Sequence, residues 1–400
     1  FKEAEKFTPQ LKVLLLQGPD RHQNFEQIPH YDIVLTTYPL LARDEEQLKQ
    51  YEYHQLILDE AQNIKNPRAK AAQVVRQLKA RHRLCLTGTP MENHLGELWA
   101  LFYFLMPGFL YSQEIFNKKY RHPIEKRGDQ QLRQKLVNRI KPFILRRLKT
   151  DVAKELPEKT TIEVNIDMND QQSKLYEAVR ATMQENIQKI VAEKGFKRSQ
   201  IQILDALLKL RQVCCHPSLL KLDSVKIGQA NSAKLEQLMD MVVPMVEEGR
   251  KILIFSQFTS MLELIEQQLH HAEICYVKLT GKTKKRDEVI TAFQSGQVPV
   301  FLISLKAGGV GLNLTAADTV IHYDPWWNPA AEDQASDRAW RIGQDKPVFV
   351  YKLITNKSIE EKILALQQNK AELAQSILST DHEGEAKLTE NDVMNLFEKF

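Results

Sequence analysis

Short apolar runs alternate with helical patterns in two separate regions of the chain. In the first region the runs end in polar or glycine-rich turns, and they are Leu11–Leu16, Ile33–Leu35, Leu56–Leu58 and Leu84–Leu86. The second region shows the same arrangement more fully, with runs at Ile252–Phe255, Cys275–Leu279, Val300–Ser304, Thr319–Tyr323 and Val348–Leu353. Short apolar runs that alternate with helices indicate parallel strands in a sheet covered on both faces. We therefore predict an α/β fold with two lobes, each built on a parallel sheet.

The stretch between these two regions has a helical pattern that prolines interrupt. In Gln171–Ala192 and Ile201–Val213, apolar residues recur at spacings of three and four, as in amphipathic helices. Ile162–Met168, which follows the break at Pro157, is predicted to be extended, and Ser358–Ile377 is predicted to be a last helix. The predicted domains are the C-terminal part of a first lobe (1–105), a helical insertion and linker (106–235), a second lobe (236–380) and a C-terminal tail or helix (381–400).

Composition and charge exclude some classes of protein but identify no partner. The hydrophobic fraction of 43% and the charged fraction of 26% are ordinary for globular proteins, and no apolar run reaches the roughly 20 residues that cross a bilayer. The net charge is only +4. Between Lys118 and Lys149, however, basic residues are opposed only by Glu125 and Asp129. Such a patch can neutralise DNA phosphates, although a solvated helical face explains it equally well.

A pair of carboxylates follows one of the predicted strands. Asp59 and Glu60 come directly after Leu56–Leu58, at the carboxyl edge where α/β proteins bind ligands. ATP hydrolysis needs a carboxylate to hold Mg²⁺, usually through water, and a polar group to position the attacking water. Asp59 suits the first role and Glu60 the second, and Gln62 completes the motif. The four letters DEAQ alone would also fit an acidic start of a helix.

A second polar turn follows the next predicted strand. Thr87, Gly88 and Thr89 come directly after Leu84–Leu86, so they are expected at the same edge of the sheet. Hydroxyl groups there can hydrogen-bond to the carboxylate pair and report the state of the nucleotide to the other lobe. The alternative is an ordinary turn from strand to helix, with threonine as the helix cap.

Two arginines in the segment QASDRAWRIGQ give the strongest chemical signal of the second region. Arg338 and Arg341 are three residues apart, which predicts that they share one face of a helix, and Gln344 ends the segment. A γ-phosphate in its transition state needs such positive charge, and an arginine finger can add roughly 10³–10⁵ in rate. The alternative is a surface arginine pair bonded to Asp333 or Asp337.

Two further turns of the second region are candidate contacts for phosphate or nucleic acid. Lys306 and Gly308 begin a glycine-rich turn whose backbone N–H groups can approach a phosphate of DNA or ATP, and spacing does not decide between them. Further on, Trp326 and Trp327 lie in a proline-bounded turn. Trp327 can stack on a sugar or base, whereas Trp326 is expected to fill the core of the lobe.

Taken in order, these segments resemble the SWI/SNF-related branch of the superfamily 2 helicases. The segments that carry the resemblance cover nearly the whole chain, and they are VLTTYPLL (Val34–Leu41), LILDEAQNIKNP (Leu56–Pro67), LCLTGTPMENHLGELWALFYFLMPG (Leu84–Gly108), PFILRRLKTDV (Pro142–Val152), LKLRQVCCHPSLL (Leu208–Leu220), ILIFSQFT (Ile252–Thr259), AGGVGLNL (Ala307–Leu314) and the block from DPWWNP to RIGQ (Asp324–Gln344). LRQVCCHP and the RIGQ block are specific to this branch.

The resemblance implies two RecA-like lobes, the first incomplete here, with ATP in the cleft and double-stranded DNA across both. It implies that Asp59 and Glu60 serve Mg²⁺ and water activation and that Arg338 and Arg341 are arginine fingers. It also places several residues in segments that touch the DNA backbone, and they are Thr36, Thr37, Ser256, Gln257 and Lys306.

The function that the resemblance implies is an ATP-dependent translocase on double-stranded DNA, with ATP and Mg²⁺ as cofactors. Its partners would be DNA and a DNA-bound protein such as RNA polymerase or a chromatin protein, with no membrane. It would act in the cytoplasm at the bacterial nucleoid, or in the nucleus of a eukaryote. The alternatives are a strand-separating helicase or, for these residues alone, a nucleotide-independent DNA-binding module.

The sequence departs from the family pattern in two places. Trp340 stands between the two arginines where the family more often has histidine or tyrosine. No GxxxxGK[ST] phosphate-binding loop occurs in the 400 residues, so the lysine that would hold the β- and γ-phosphates is not among them. Because the sequence begins at Phe1, we expect it to be part of a longer protein in which that loop comes earlier.

Overall fold

A computed structural model describes residues 1–88, 94–147, 149–220, 231–308, 311–365 and 390–399. The chain forms two compact units. Unit 1 contains Phe1–Ile140, and unit 2 contains the described residues from Lys141 onward. The α/β fold is confirmed, whereas the predicted domain boundaries at residues 105, 235 and 380 stay predictions. Within the described ranges, none of the helices combines the length and the apolar content that a bilayer crossing would require.

Unit 1 contains two pairs of parallel strands. β1 (Val13–Leu15) pairs with β2 (Ile33–Leu35), and β3 (Glu52–Leu58) pairs with β4 (Lys79–Cys85). The helices of this unit are α1 (Lys2–Phe7), α2 (Tyr38–Leu41), α3 (Glu45–Leu48), α4 (Lys70–Gln77), α5 (Leu95–Leu105), α6 (Gln113–Phe116), α7 (His122–Arg127) and α8 (Gln130–Ile140), with 3₁₀ segments at Pro19–His30 and Ala61–Ile64 and a π-helical turn at Asn117–Arg121. Each predicted apolar run of the first region therefore coincides, at least in part, with a strand.

The core of unit 1 explains why these elements assemble. The apolar sequence of α5 is buried nearly all round, and its residues Leu101 and Phe104 join the main cluster. Leu58 from the end of β3 and Val75 from α4 pack in the same cluster. Burial of each such side chain contributes roughly 1.5–3 kcal/mol. The end of β3, where the predicted carboxylates follow, is thus anchored in the core.

Unit 2 is built on one six-stranded sheet in which all strand pairs are parallel, in the order β5-β10-β9-β6-β8-β7. The strands are β5 (Lys159–Ile166), β6 (Ile252–Ser256), β7 (Tyr276–Leu279), β8 (Val300–Ser304), β9 (Thr319–His322) and β10 (Val348–Thr355). The chain leaves β6 toward one edge of the sheet and leaves β9 toward the other. The switch point between β6 and β9 is where open parallel sheets bind ligands.

The helices of unit 2 cover both faces of this sheet. They are α9 (Lys149–Val152), α10 (Asp170–Lys194), α11 (Gln200–Cys215), α12 (Ala233–Glu247), α13 (Thr259–His271), α14 (Arg286–Gln294), α15 (Leu305–Gly308), α16 (Pro329–Ser336), α17 (described residues 359–365) and α18 (Glu390–Phe397), with 3₁₀ turns at Lys141–Phe143, Phe196–Arg198 and Pro217–Leu219. The predicted helices at Gln171–Ala192 and Ile201–Val213 are confirmed by α10 and α11. The end of the helix predicted at Ser358–Ile377 lies outside the described residues.

Strand β5 belongs to the sheet although its sequence lies in the mainly helical stretch. It pairs with β10 along its whole length, from Lys159 beside Val348 to Ile166 beside Thr355. The segment was predicted to be extended, but its place at an edge of the second sheet was not. Because its burial alternates between half-buried and exposed positions, it lacks the continuous apolar run that marks the inner strands.

Candidate functional site

The carboxylates of unit 1 lie in a tight turn at the carboxyl end of β3. The backbone N–H of Glu60 donates to Oδ1 of Asp59 at 2.9 Å, and the hydroxyl of Tyr38 donates to the backbone oxygen of Asp59 at 2.7 Å. Glu60 has the left-handed φ of 49°, which costs a residue with a side chain roughly 1–3 kcal/mol. Burial, with Cys85 and Asp59 nearby, raises the pKa of Tyr38, so its hydroxyl keeps its proton and remains a donor.

A chain of hydrogen bonds connects the two polar turns of unit 1. The amide of Gln62 donates to Oε2 of Glu60 at 2.6 Å, and the hydroxyl of Thr87 donates to Oε1 of Gln62 at 2.7 Å. The backbone N–H of Ala61 also donates to the carbonyl of Leu86 at 2.9 Å. Sequence reasoning expected the threonine to bond directly to a carboxylate, whereas the structure places Gln62 between them.

The other predicted residues of unit 1 lie near this chain in sequence. Thr36 and Thr37 are exposed and follow directly on β2, immediately before Tyr38. Gly88 is exposed, and a Cβ built on it would meet nothing within 4 Å. Its position therefore does not require glycine for space. Thr89 lies outside the described residues.

In unit 2, Asp324 organises the switch point between β6 and β9. The hydroxyl of Ser256 donates to Oδ1 of Asp324 at 2.6 Å, and the backbone N–H of Gln257 donates to the same oxygen at 3.3 Å. The side-chain amide of Gln257 donates to Oδ2. Ser256 and Asp324 are buried, so two predicted DNA contacts bind first of all a neighbouring carboxylate.

Arg211 of α11 is a residue of this cluster that sequence reasoning missed. Its guanidinium donates to the backbone oxygen of Pro325 and lies 3.8 Å from Oδ2 of Asp324. The same group lies 5.7 Å from the ring centre of Trp326 and 5.4 Å from that of Trp327. Its position in LRQVCCHP marked the family but gave no partner, because the partners are more than a hundred residues away in sequence.

Both tryptophans pack against hydrophobic clusters of unit 2. Trp326 packs on the cluster beneath the sheet, as predicted. Trp327 packs on the cluster formed by α10, α11 and the C-terminal helices, and it remains half-buried. One face of each ring is therefore occupied by protein, and stacking of Trp327 on a nucleotide stays a prediction.

Lys306 and Gly308 have different roles in the turn after β8. Lys306 is exposed, whereas Gly308 is buried. A Cβ built on Gly308 would lie 2.7 Å from Cε1 of Phe255 and 3.2 Å from Cγ2 of Ile303. Glycine at position 308 thus lets α15 approach the sheet closely, which is a packing requirement, and contact of this turn with a phosphate stays a prediction.

The predicted arginines lie in a turn after α16 rather than on a helix face, so that part of the prediction is wrong. The helix ends at Ser336, and the backbone then tightens, with the N–H of Arg338 bonded to the carbonyl of Ala335 at 3.2 Å. Arg338 is buried, and Arg341 is exposed, with Nη1 donating to the carbonyl of Leu312 at 3.4 Å. The spacing of three residues between the two arginines is therefore not enough to predict a helix.

Gln344 holds this turn against the segment that follows the glycine-rich turn. Its amide nitrogen lies 2.7 Å from the carbonyl of Ala317, 3.0 Å from that of Ala339 and 3.1 Å from that of Thr315. Its amide oxygen accepts the backbone N–H groups of the next two residues. The side chain is buried, so Gln344 fixes the backbone on which the arginines stand.

Comparison with known families covers both units. A model described as the SNF2-related domain matches residues 1–219, and one described as the helicase conserved C-terminal domain matches residues 233–343. The putative ATP-dependent helicase/translocase YwqA of Bacillus subtilis is 39% identical over 390 residues, which are 95% of this chain and 42% of that protein. An uncharacterized ATP-dependent helicase of Mycoplasma genitalium is 36% identical, over 99% of this chain and 38% of that protein. The chain therefore spans well under half the length of these curated relatives.

More distant relatives and two solved structures complete the comparison. The ISWI chromatin-remodeling complex ATPase ISW1 of Saccharomyces cerevisiae is 34% identical over 94% of this chain and 34% of that protein. The SWI2/SNF2 ATPase core of Sulfolobus solfataricus in complex with dsDNA is 38% identical, over 95% of this chain and 79% of that one, with a TM-score of 0.47. The ATPase core domain from the same organism is 36% identical, over 100% and 81%, with a TM-score of 0.49.

Proposed function

The chain belongs to the SNF2-related family, and from this premise we propose that it forms part of an ATP-driven motor that translocates along double-stranded DNA. The observation that carries the proposal is the hydrogen-bonded chain from Thr87 through Gln62 to Glu60. It fixes one carboxylate at the sheet edge, beside the exposed Asp59. Such a pair suits nucleotide hydrolysis better than simple DNA binding, because carboxylates repel phosphates unless a cation lies between them.

ATP and Mg²⁺ are the cofactors of this proposal. Asp59 and Glu60 fit a hydrated Mg²⁺ ion, since hard cations prefer carboxylate oxygens and keep several of their waters. When bound, the ion neutralises charge on the transferring phosphate. We assign Asp59 to holding the ion through water and Glu60 to positioning the attacking water. Gln62 and Thr87 would couple the state of Glu60 to the turn at residues 87–89.

Unit 2 contributes positive charge in this proposal. We assign Arg338 and Arg341 to stabilising the charge that develops on the phosphate during transfer. Charge that is preorganised by the protein costs no reorganisation at the moment of reaction. The contacts of Gln344 supply that preorganisation, because they fix the backbone of the turn that carries both arginines.

Double-stranded DNA is the proposed track, and DNA-bound proteins are the proposed targets of displacement. Thr36 and Thr37 in unit 1 and Lys306 in unit 2 are exposed at the carboxyl ends of their strands. Hydroxyl and ammonium donors bind phosphate oxygens without reading sequence, which a translocating motor requires. In the proposed division, residues 1–105 and 236–380 form the motor lobes and residues 106–235 the insertion.

The test replaces Glu60 by glutamine in the full-length protein. We expect DNA-stimulated ATP turnover to fall by roughly 10²-fold or more, because the amide cannot take a proton from the attacking water. Binding of a fluorescent ATP analogue with Mg²⁺ should remain near wild type, since Asp59 is unchanged. Glu46→Gln, at an exposed position of the same unit, is the matched control and should leave turnover unchanged.

A second measurement separates translocation from strand separation. The wild-type protein should displace a third DNA strand from a triplex on a long duplex in the presence of ATP, and the Glu60→Gln variant should not. The wild-type protein should not unwind a forked duplex of the same length. Turnover near wild type in the Glu60→Gln variant would remove the carboxylate assignment, and efficient unwinding of the fork would favour a strand-separating helicase.

A further inference from the structure

The turn that carries the two arginines is held from outside by a segment at the start of unit 2. We call residues 337–344 the arginine loop and residues 149–159 the strap. Nζ of Lys149 donates to the backbone oxygen of Trp340 at 2.9 Å and lies 2.7 Å from Oδ2 of Asp337. Nζ of Lys159 lies 3.1 Å from the other oxygen of that carboxylate. One aspartate of the loop is thus shared by two lysines of the strap.

Trp340 adds a second set of contacts to the same segment. Its indole N–H donates to the backbone oxygen of Pro157 at 2.7 Å. The ammonium groups of Lys149 and Lys159 lie 5.2 Å and 5.0 Å from the ring centre, within the range of cation–π attraction. The ring also packs against the hydrophobic cluster of the sheet. The strap therefore contacts the backbone, the ring and the indole nitrogen of a residue that stands between the two arginines.

These contacts act on the part of the loop that decides where Arg341 points. The oxygen that Lys149 binds belongs to the peptide unit that joins Trp340 to Arg341. On its other side the loop is held at Arg338, whose backbone oxygen accepts the N–H of Leu314 at 3.0 Å, and at Gln344. The inner contacts are buried, whereas those of the strap are partly exposed.

The exposure of the strap contacts indicates that they affect mainly the position of the arginine loop and only slightly the free energy of unfolding. The side chains of Lys149, Asp337 and Lys159 are 37%, 29% and 21% exposed. Ion pairs of this exposure contribute little to the free energy of unfolding. Displacement of a reacting group by about 1 Å, in contrast, can cost a rate on the order of 10²-fold. Loss of these pairs should therefore be visible in catalysis before it is visible in stability.

We infer that Lys149 and Lys159 are positioning residues for the arginine loop, acting through Asp337 and Trp340. The inference rests on the proposed function, in which Arg338 and Arg341 stabilise the transferring phosphate. It assigns a role to the lysine of LRRLK and to the lysine that begins β5. It also gives a reason for Trp340, whose large ring offers both ammonium groups a π face and whose indole nitrogen reaches the strap.

The test combines Lys149→Met and Lys159→Met in the full-length protein. Methionine keeps an apolar side chain on the ring of Trp340 and removes the charge of each lysine together with the hydrogen bond that Lys149 donates to the backbone oxygen of Trp340. We expect kcat of DNA-stimulated ATP turnover to fall about 10-fold or more, with KM for ATP and duplex affinity within about twofold of wild type. The conservative single variant Lys159→Arg should retain most of the wild-type turnover, because arginine keeps both the charge and the cation–π contact.

The chain offers a closely matched control. Lys278 on β7 pairs with Glu266 at exposures of 29% and 21%, which are close to the 21% and 29% of Lys159 and Asp337. It lies on the edge strand opposite β5, so Lys278→Met removes an equivalent ion pair far from the loop. Its turnover and melting temperature should match those of the wild type.

The outcomes separate this inference from the proposed function. If the double lysine variant turns over ATP like the Lys278→Met control, the positioning role is overturned while the proposed function stands. If Arg338→Lys and Arg341→Lys also keep normal turnover, the arginine assignment itself fails and the inference fails with it. Should the double variant not fold, Trp340→Phe removes the indole donor to Pro157 and leaves a smaller aromatic ring for the lysines, and it is expected to lower kcat without changing KM.

Discussion

Replacement of Arg211 by methionine should destabilise unit 2 strongly and in a pH-dependent way. Methionine replaces the aliphatic stem of arginine and keeps a polarisable side chain beside Trp326 and Trp327, so the change removes mainly the charged guanidinium and its hydrogen bond to Pro325. What remains is the carboxylate of Asp324, whose side chain is 1% exposed. Of the contacts described above, only the hydrogen bonds from Ser256 and Gln257 then stabilise this buried carboxylate.

The magnitude follows from the burial of the pair. Both side chains are almost fully buried, at 4% for Arg211 and 1% for Asp324. Removing one partner of a buried pair costs about 3–5 kcal/mol, because the other charge stays buried without compensation. For a folding unit of this size, each kcal/mol lowers the melting temperature by about 2–4 °C. We therefore expect a melting temperature lower by roughly 10 °C at neutral pH.

The pH dependence has a definite sign. Burial raises the pKa of Asp324 above its ordinary value, and Arg211 opposes that rise. Between the pKa of the unfolded state and the higher pKa of the folded state, the folded protein holds a proton that the unfolded chain has released. The free energy of unfolding therefore falls as the pH rises through this window. Without Arg211 the pKa of Asp324 rises further and the window widens. The cost of Arg211→Met should thus be largest near pH 7 and shrink toward the ordinary pKa of aspartate.

The assay is urea unfolding followed by tryptophan fluorescence at a series of pH values. Trp326, Trp327 and Trp340 belong to unit 2, whereas Trp99 belongs to unit 1, so the signal reports mainly unit 2. Burial lowers the pKa of His322 to about 4. Its protonation in the unfolded state removes stability as the pH falls below 6.5, and it does so equally in wild type and variant. The comparison at each pH cancels that contribution.

A second variant makes the reasoning refutable. Arg211→Met combined with Asp324→Asn removes both charges and keeps polar atoms for Ser256 and Gln257. It should recover more than half of the lost stability at pH 7 and show little of the pH dependence. If the single variant loses the same free energy at pH 5 as at pH 7, and the double variant recovers none of it, the ion pair is unimportant. The stacking of Arg211 on the aromatic rings would then be the dominant interaction.

Three further predictions concern catalysis and packing. Arg338→Lys and Arg341→Lys should each lower kcat of the full-length, DNA-bound protein by roughly 10²-fold with duplex affinity little changed, since lysine lacks the planar fork. Measuring ATP turnover and duplex binding on the same preparation of each variant tests this. Residues 1–400 alone should show negligible ATPase activity in a phosphate-release assay, because no GxxxxGK[ST] loop is among them. Gly308→Ala should cost about 1–3 kcal/mol in urea unfolding through its 2.7 Å clash with Phe255, while Gly281→Ala, which meets nothing within 4 Å, should cost far less.

The elements that the sequence predicted well are those whose burial is nearly complete. β6 and β8 are buried at every position, so each appears as a short, nearly continuous apolar run, as is typical of an inner strand of a parallel sheet. β5 was recognised only as extended. As an edge strand it is half-exposed, and its partner β10 lies almost two hundred residues further along the chain. Membership of a sheet is a long-range property that local periodicity does not contain.

The candidate site shows the same limit at the level of single residues. DEAQ and QASDRAWRIGQ predict the chemistry from residue types and their order, and the roles of their residues stay predictions. The geometry differed where local rules compete: the helix that begins at Pro329 ends at Ser336, and the arginines stand in the following turn. Arg211 was missed because its partners, Asp324 and Pro325, are distant in sequence. A buried arginine in a helix has no periodic signature of its own.

The exposure of the predicted DNA contacts in unit 2 divides them into two kinds. Ser256 is fully buried and donates to Asp324, and its oxygen also accepts the N–H of Phe258 at 3.1 Å, so its side chain shapes the turn after β6. Lys306 is exposed at the end of the neighbouring strand β8. A lysine at the surface can neutralise a DNA phosphate with release of counterions, whereas a fully buried hydroxyl is closed to one. In this unit we therefore assign phosphate contact to Lys306, and we assign Ser256 to holding the edge of the sheet in the shape that such contact needs.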